Sequence, residues 1–336
     1  MSALNTNNGL EWFASGNAPL LYPVELVLGF FLFDDQTILE IPPSVPFAAA
    51  WGKPVSTRLS YENTHPVPEG IAITWFSIVE NKFYAVLDGL PKEQIATLLS
   101  EKDEKTKKPK YHTLVAGMAP GGKVAIWVCG NGITTEVIWL KGHEVEMEID
   151  MLDPDTKLSR EEYAKKALAD CKEAAENFQT NGLPDPMLFD GYMQKFNYRI
   201  IPKFENAELE GIELFYFNGE LNTMRSGEHS VYNMRAKPQK IGIFWRTGKK
   251  QYSGYFWPDE RKIIQTFCDC YVDDEQIEGN LIIQADASNK EFRFFLQTAD
   301  ASMEIPAEDM EYIIFKNKFE FHRSAHYKKP SQAWRN

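Results

Sequence analysis

The chain reads as an α+β protein of mainly antiparallel sheets with short covering helices, internally duplicated. Three observations predict this. Apolar residues alternate with period two over short stretches, as in IAITWF (Ile71–Phe76), which suits strands rather than helices. Proline-led amphipathic segments follow pairs of such strands, as in PKEQIATLL from Pro91 and PDERKIIQTF from Pro258. Finally, five features of the first half return in the same order in the second.

Taken in order, ELVLGFFLF (Glu25–Phe33) is dense in strand formers and ends at Asp34-Asp35, a turn signal. IPPSVPFAAAWGKP then suits an irregular connection. IAITWFSIVENKFYAVL reads as two strands, Ile71–Ser77 and Lys82–Leu87. In the helix after Pro91, Ile95, Leu98 and Leu99 share a face. The lysine-rich run KDEKTKKPKY reads as a solvated loop. YHTLVAGMAPGGKVAIWVCG reads as a hairpin turning at Pro120-Gly121-Gly122. EVIWL and VEMEI extend the sheet, with Val145, Met147 and Ile149 on a dry face and Glu146 and Glu148 on a wet one.

Leu158–Gly182 reads as one long helix. Ser159 is its N-cap, Glu162 completes a capping box, and Gly182 ends it before Pro184. Tyr163, Ala167, Cys171, Ala174 and Phe178 form its apolar stripe. It has no counterpart later.

The second half replays the first. GIELFYFNGE matches LGFFLFDD, IGIFW matches IAITW, KKQYSGYFW matches ENKFYAVL, and LIIQADASNKEFRFFL matches LVAGMAPGGKVAIWVC. Trp75 and Trp245 are 170 positions apart, and Pro91 and Pro258 are 167. The reading is two α+β units: residues 1–206, with the long helix near 158–182 added, and residues 207–336, ending in a polar tail. Met187–Ile200 is expected to close the first unit, and Trp75 and Trp245 to be equivalent core anchors.

WFSIVENKFYAVLDGLPKEQIATLL, LVAGMAPGGKVAIWVCG and YMQKFNYRI together resemble a bacterial family of uncharacterised proteins. Many members are predicted lipoproteins, and some sit beside type VI secretion effectors. The resemblance covers roughly residues 20–200, with a degenerate second copy behind it. It supplies no catalytic residues to carry over. It implies an immunity role: binding and blocking a cognate toxin. This chain departs from the family pattern in that MSALNTNNGLEWFASGNAP has no basic start, apolar core or lipobox cysteine. The expected location is therefore the cytoplasm.

Motifs for chemistry are sparse. Asp153 and Asp155 invite a calcium-loop reading, but the ligand positions that follow hold Lys157 and Ala164. His322 and His326 lack a third ligand by spacing, and Cys268-Asp-Cys270 lies inside a helical pattern that would point its thiols apart. APGGK is a turn rather than a phosphate loop. No catalytic residue, cofactor or metal is expected, and the chain is not expected to be an enzyme. A toxin-unrelated scaffold module and an enzyme of unidentified class are the alternatives.

With 36 Lys and Arg against 48 Asp and Glu, the formal net charge is −12. This disfavours nucleic acid, and it would steer the chain toward the toxin that the resemblance implies if that toxin has a basic surface. No apolar run is long enough for a membrane helix. The expected partner-binding residues are acidic: Glu144, Glu146, Glu148, Asp153 and Asp155 in one segment, and Asp269, Asp273, Asp274 and Glu275 in another. Tyr232 joins them as an aromatic anchor, with Trp12, Phe13, Trp51 and Trp139 as further anchors.

Overall fold

The structure is a computed structural model. It describes residues 9–55, 64–185, 187–205, 207–225, 227–272, 274–317 and 320–325. The chain divides into two compact units between Phe189 and Asp190. Both are α+β, with mainly antiparallel sheets and short helices.

The first unit contains β1 (Phe13–Asn17), β2 (Val24–Leu32), β3 (Ile38–Glu40), β4 (Gly70–Ser77), β5 (Lys82–Gly89), α1 (Lys92–Ser100), β6 (Tyr111–Ala119), β7 (Lys123–Gly130), β8 (Ile133–Lys141) and β9 (His143–Val145). They build two layers, ordered β9-β5-β4-β2-β3 and β1-β6-β7-β8. Period-two alternation decides what lies between them. Ile71, Ile73 and Trp75 of β4 meet Leu114, Ala116 and Met118 of β6 and Val124, Ile126 and Val128 of β7 in one buried core. Ile95, Ala96 and Leu99 of α1 close it. The hairpin β6–β7 turns where expected, with Gly121 and Gly122 both at φ +71°.

The stretch expected as one long helix is two: α2 (Arg160–Asp170) and α3 (Lys172–Asn181). The capping box at Ser159 and Glu162 is formed, and Gly182 ends α3 at φ 74°. Cys171, at φ −101° and ψ 79°, breaks the helix between them. No proline or glycine marks this break. The two pieces bury different residues: α2 lays Ala164, Tyr163, Ala167 and Leu168 on Phe76 and Phe83, while α3 buries Ala174. The strand expected through Ile149 ends at Val145, and a 3-10 turn at Ile149–Met151 follows. Met147 and Ile149 still pack inward beside Phe76 and Phe83, so the alternation outlasts the strand.

The short helix α4 (Leu188–Met193) spans the division. The second unit then contains β10 (Lys195–Phe204), β11 (Glu208–Tyr216), β12 (Leu221–Arg225), β13 (Asn233–Ala236), β14 (Pro238–Thr247), β15 (Lys250–Pro258), α5 (Glu260–Tyr271), β16 (Gly279–Ala285), β17 (Phe292–Gln297), β18 (Ser302–Ile305), β19 (Met310–Lys316) and β20 (Glu320–Ala325). Within this unit the orders are β20-β19-β15-β14-β11-β12 and β13-β10-β16-β17-β18. Of Met187–Ile200, expected to close the first unit, the part from Asp190 on opens the second instead, because β10 pairs in parallel with β16 from Tyr198–Gly279 to Phe204–Ala285. That pairing places residues 195–204 in the second unit, ahead of the sequence boundary at 206. Pro258 ends β15, and Asp259 caps α5 by accepting from the Lys262 N–H at 3.0 Å.

The two units share a topology. The layer β19-β15-β14-β11-β12 repeats β9-β5-β4-β2-β3 strand for strand. The layer β10-β16-β17-β18 repeats β1-β6-β7-β8, down to the parallel first pair. The register repeats too. Trp75 lies opposite Tyr84 and Trp245 opposite Tyr252. Both pairs stack, at 5.5 Å and 5.4 Å between centroids. Even the bulge repeats. The pairing of β2 with β4 skips from Leu26–Trp75 to Leu28–Thr74, and that of β11 with β14 skips from Leu209–Trp245 to Gly211–Phe244. Both tryptophans are fully buried. Among the described residues, the second unit has no counterpart of α2 and α3.

Candidate functional site

Strand pairing assigns a second face to the sheet β9-β5-β4-β2-β3, turned away from the core. Phe76 opposite Phe83, Thr74 opposite Ala85, and Ala72 opposite Leu87 run along it. Leu28, Phe30 and Leu32 line up beside them from β2. The helix α2 covers the Phe76–Phe83 end. The other end is open: Leu87 is 74% exposed, Ile38 56% and Leu28 40%. Between these side chains the floor is small, made of Gly70, Ala72, Thr74 and Ala85. A Cβ placed on Gly89 would meet only the Glu69 carbonyl oxygen, at 3.8 Å. Exposed Glu40, opposite Phe30, puts an acid on the same face, and His143 of β9 borders it. An open apolar floor rimmed by polar groups has the anatomy of a protein-docking face.

The expected acidic residues serve several purposes. Glu144 is exposed and pairs with Lys82 at 2.8 Å, and Glu146 lies 3.7 Å from Arg160. Glu148 is exposed. Asp153 accepts from the Asp155 N–H at 3.3 Å, shaping the turn before α2, while Asp155 itself is exposed. Behind them, burial pushes the Glu25 carboxyl upward, although the Tyr163 hydroxyl donates to it at 2.7 Å; nearby Asp153 adds to the rise.

The other acidic segment belongs to the second unit. Asp269 is exposed and accepts from Gln265 at 2.6 Å, one helical turn away. Asp274 accepts from the Gln276 N–H at 2.9 Å, and Asp273 lies outside the described residues. Glu275 is part of an internal chain. Its carboxylate accepts from Gln194 at 3.0 Å, and Gln194 in turn accepts from the fully buried Lys237 at 3.3 Å. Burial pushes the Lys237 amine down to about 8, against the opposing pull of Cys268 and Glu275.

Tyr232 is half-buried rather than free-standing. The Arg199 guanidinium lies 4.5 Å over its ring and its hydroxyl donates to Asn280 at 3.3 Å. Trp12 is no surface anchor. It is fully buried, and its indole N–H donates to the carbonyls of His65 and Pro66. Phe13 is half-buried, and Trp51 and Trp139, half-buried, cluster with Trp127.

Leu28, Ile38 and Leu87 were not singled out from the sequence. A signal was present: ELVLGFFLF is apolar on both parities, so a sheet with one covered face has apolar side chains to spare on the other.

One further concavity, of about 410 Å³, is lined by Lys203, Phe204, Glu205, Gln284, Asp286 and Arg293, among others. Two of its charged side chains are engaged outside it or by the local backbone. Arg293 makes a bidentate pair with Glu304 at 2.8 Å. Burial alone would raise Asp286, but the Ser288 hydroxyl and the N–H groups of Glu291, Lys290 and Ser288 pull it down to about 2. Among the described residues, no three His, Cys, Asp or Glu side chains are placed to hold a metal ion, Cys268 is exposed while Cys270 is buried, and His322 lies in a strand. His326 lies outside the described residues. No described helix is long and apolar enough to cross a membrane.

Comparison with curated proteins gives no match, and neither does comparison with solved structures. The family described as "Protein of unknown function (DUF2931)" matches residues 2–185, more than half of the chain and nearly the whole first unit, including the open face. The chain therefore belongs to the DUF2931 family.

Proposed function

We propose that this protein is an immunity factor: it binds a cognate bacterial toxin in the cytoplasm and blocks it without catalysis. The observation that carries the reading is the open apolar end of the first unit's sheet, bearing Leu28, Ile38 and Leu87 and rimmed by Glu40. A monomer with nothing to bind has little reason to keep such side chains uncovered. The formal charge of −12 favours a basic partner through steering and complementarity. The resemblance to proteins encoded beside type VI effectors supplies the kind of partner. We further read the shared topology, the repeated bulge and the two Trp–Tyr pairs as a tandem duplication, the second copy having diverged beyond the family match.

The test is rescue. Each toxin candidate encoded near the gene is expressed with and without the full chain, and growth is measured. Rescue by wild-type protein, lost in Leu87→Glu, is the expected result. Failure to bind or rescue against every neighbouring toxin overturns the reading and favours a scaffold module or an enzyme.

A further inference from the structure

The duplicated register allows one unit to be read as a template for the other. From the equivalent pairs Trp75–Tyr84 and Trp245–Tyr252, every position on the outer face can be matched. Gly70 corresponds to Lys240, Thr74 to Phe244, Leu87 to Tyr255, and Gly89 to Trp257. Leu32, opposite Gly70, corresponds to Phe215, opposite Lys240. The second unit therefore fills this face with its own side chains. The Lys240 ammonium lies 4.5 Å from the Phe215 ring centroid, 5.1 Å from Tyr255 and 5.5 Å from Trp257. Phe244 sets its edge against Tyr255 at 6.0 Å. At the places of Lys240, Phe244 and Trp257 the first unit carries only Gly70, Thr74 and Gly89, and at those of Phe215 and Tyr255 the smaller Leu32 and the exposed Leu87.

We infer that the open face of the first unit binds a segment of a basic partner protein in which a lysine or arginine is flanked by aromatic side chains, repeating in trans the arrangement that Lys240 and its rings make in the second unit. This rests on the protein-binding reading above and names the chemistry its partner presents. Two observations favour it over any other apolar occupant. The matched face shows which groups this sheet geometry accommodates, and they are rings around a cation. The acid changes sides with the occupant: in the second unit Glu213 of β11 faces Lys240, whereas in the first unit β2 has Phe30 at that position and exposed Glu40 lies opposite it on β3. An incoming cation would thus meet a carboxylate of the face, as Lys240 does.

The experiment uses the full chain with labelled alanine, isoleucine and leucine methyl groups. The probe is a short soluble peptide with one lysine between Phe, Tyr and Trp. Two control peptides replace the lysine by Glu or the aromatics by Ala. The expected result is saturable shifts at the methyls of Ala72, Ala85, Leu28 and Leu87, weakened about tenfold or more by either control. Ala72→Trp, which fills the floor, should abolish these shifts, and Ala72→Ser should keep them. An unchanged methyl spectrum away from the face shows that each variant is folded. Shifts confined to other methyls, or equal shifts with the alanine peptide, overturn the inference. If a rescuing toxin still binds Ala72→Trp as tightly as wild type, the inference falls and the immunity reading stands. If no toxin is rescued but the shifts appear as expected, the immunity reading falls and the assigned chemistry of the face stands.

Discussion

The paired strands β4–β5 and β14–β15 are built on one register, yet they end differently. Just beyond its Trp–Tyr pair the first unit has Phe76 opposite Phe83, both buried, and the second has Arg246 opposite Gln251, both exposed. The helix α2 exists only where the phenylalanines are. Arg246 instead reaches Glu208 at 3.1 Å and Glu210 at 3.3 Å, and needs no cover. The added helix thus accompanies a pair of apolar side chains at this end of the sheet, where the second unit has polar ones. The same reasoning applies at the other end of the sheet. There the second unit caps itself with Phe215, Phe244, Tyr255 and Trp257, and the first is left open. The units differ on the outer face, while the face toward the core carries the same Trp–Tyr stack in both.

The sharpest way to break this comparison is at the stack. Trp75→Ala and Trp245→Ala should each cost about 3–5 kcal/mol in denaturant unfolding, since both rings are fully buried. A loss below about 1 kcal/mol at either site would deny it a core role.

The next test exploits opposite burdens on the two units. Burial lowers the Lys237 amine to about 8, so its charged form destabilises the fold at neutral pH. Stability should rise as pH increases from 8 toward the unfolded value near 10.5, by about 3 kcal/mol at most. Lys237→Met should remove that rise when its pH profile is subtracted from that of wild type. Glu25, raised by burial, acts in the other direction: its contribution is largest in acid and is lost as pH rises through its folded pKa. Glu25→Gln should flatten the acid limb and leave the alkaline limb alone.

A smaller difference separates the tryptophans themselves. The Trp245 indole donates to buried Asn289 at 2.7 Å, whereas the Trp75 indole N–H has no partner among the described residues. Trp245→Phe should therefore cost about 1–3 kcal/mol more than Trp75→Phe, because it strands the Asn289 carbonyl. Equal costs would show that the hydrogen bond contributes little. The smallest effect is expected at the exposed pair Lys82–Glu144, where either alanine substitution should change stability by less than about 1 kcal/mol.

Much of the fold was legible in local pattern. The alternation in IAITWF, the Pro120-Gly121-Gly122 turn and the Ser159–Glu162 capping box act over a few residues, and each forms as read. What escaped depends on distant partners. Residues 195–204 were assigned to the first unit because nothing in YMQKFNYRI announces a parallel partner some eighty residues later. The break at Cys171 follows from which surfaces α2 and α3 meet, and has no punctuation in the sequence. The open apolar face escaped for a similar reason. Leu28 and Leu87 look like core residues until one knows that a single helix covers only half of their sheet.

If the protein binds as proposed, the first unit's open face, not the matched aromatic face of the second, meets the partner. The direct measurement is the affinity of a rescued toxin for full-length Leu87→Glu and full-length Tyr255→Glu. A loss of about 100-fold in the first and less than about threefold in the second is predicted. The reverse order, or equal losses, would contradict it.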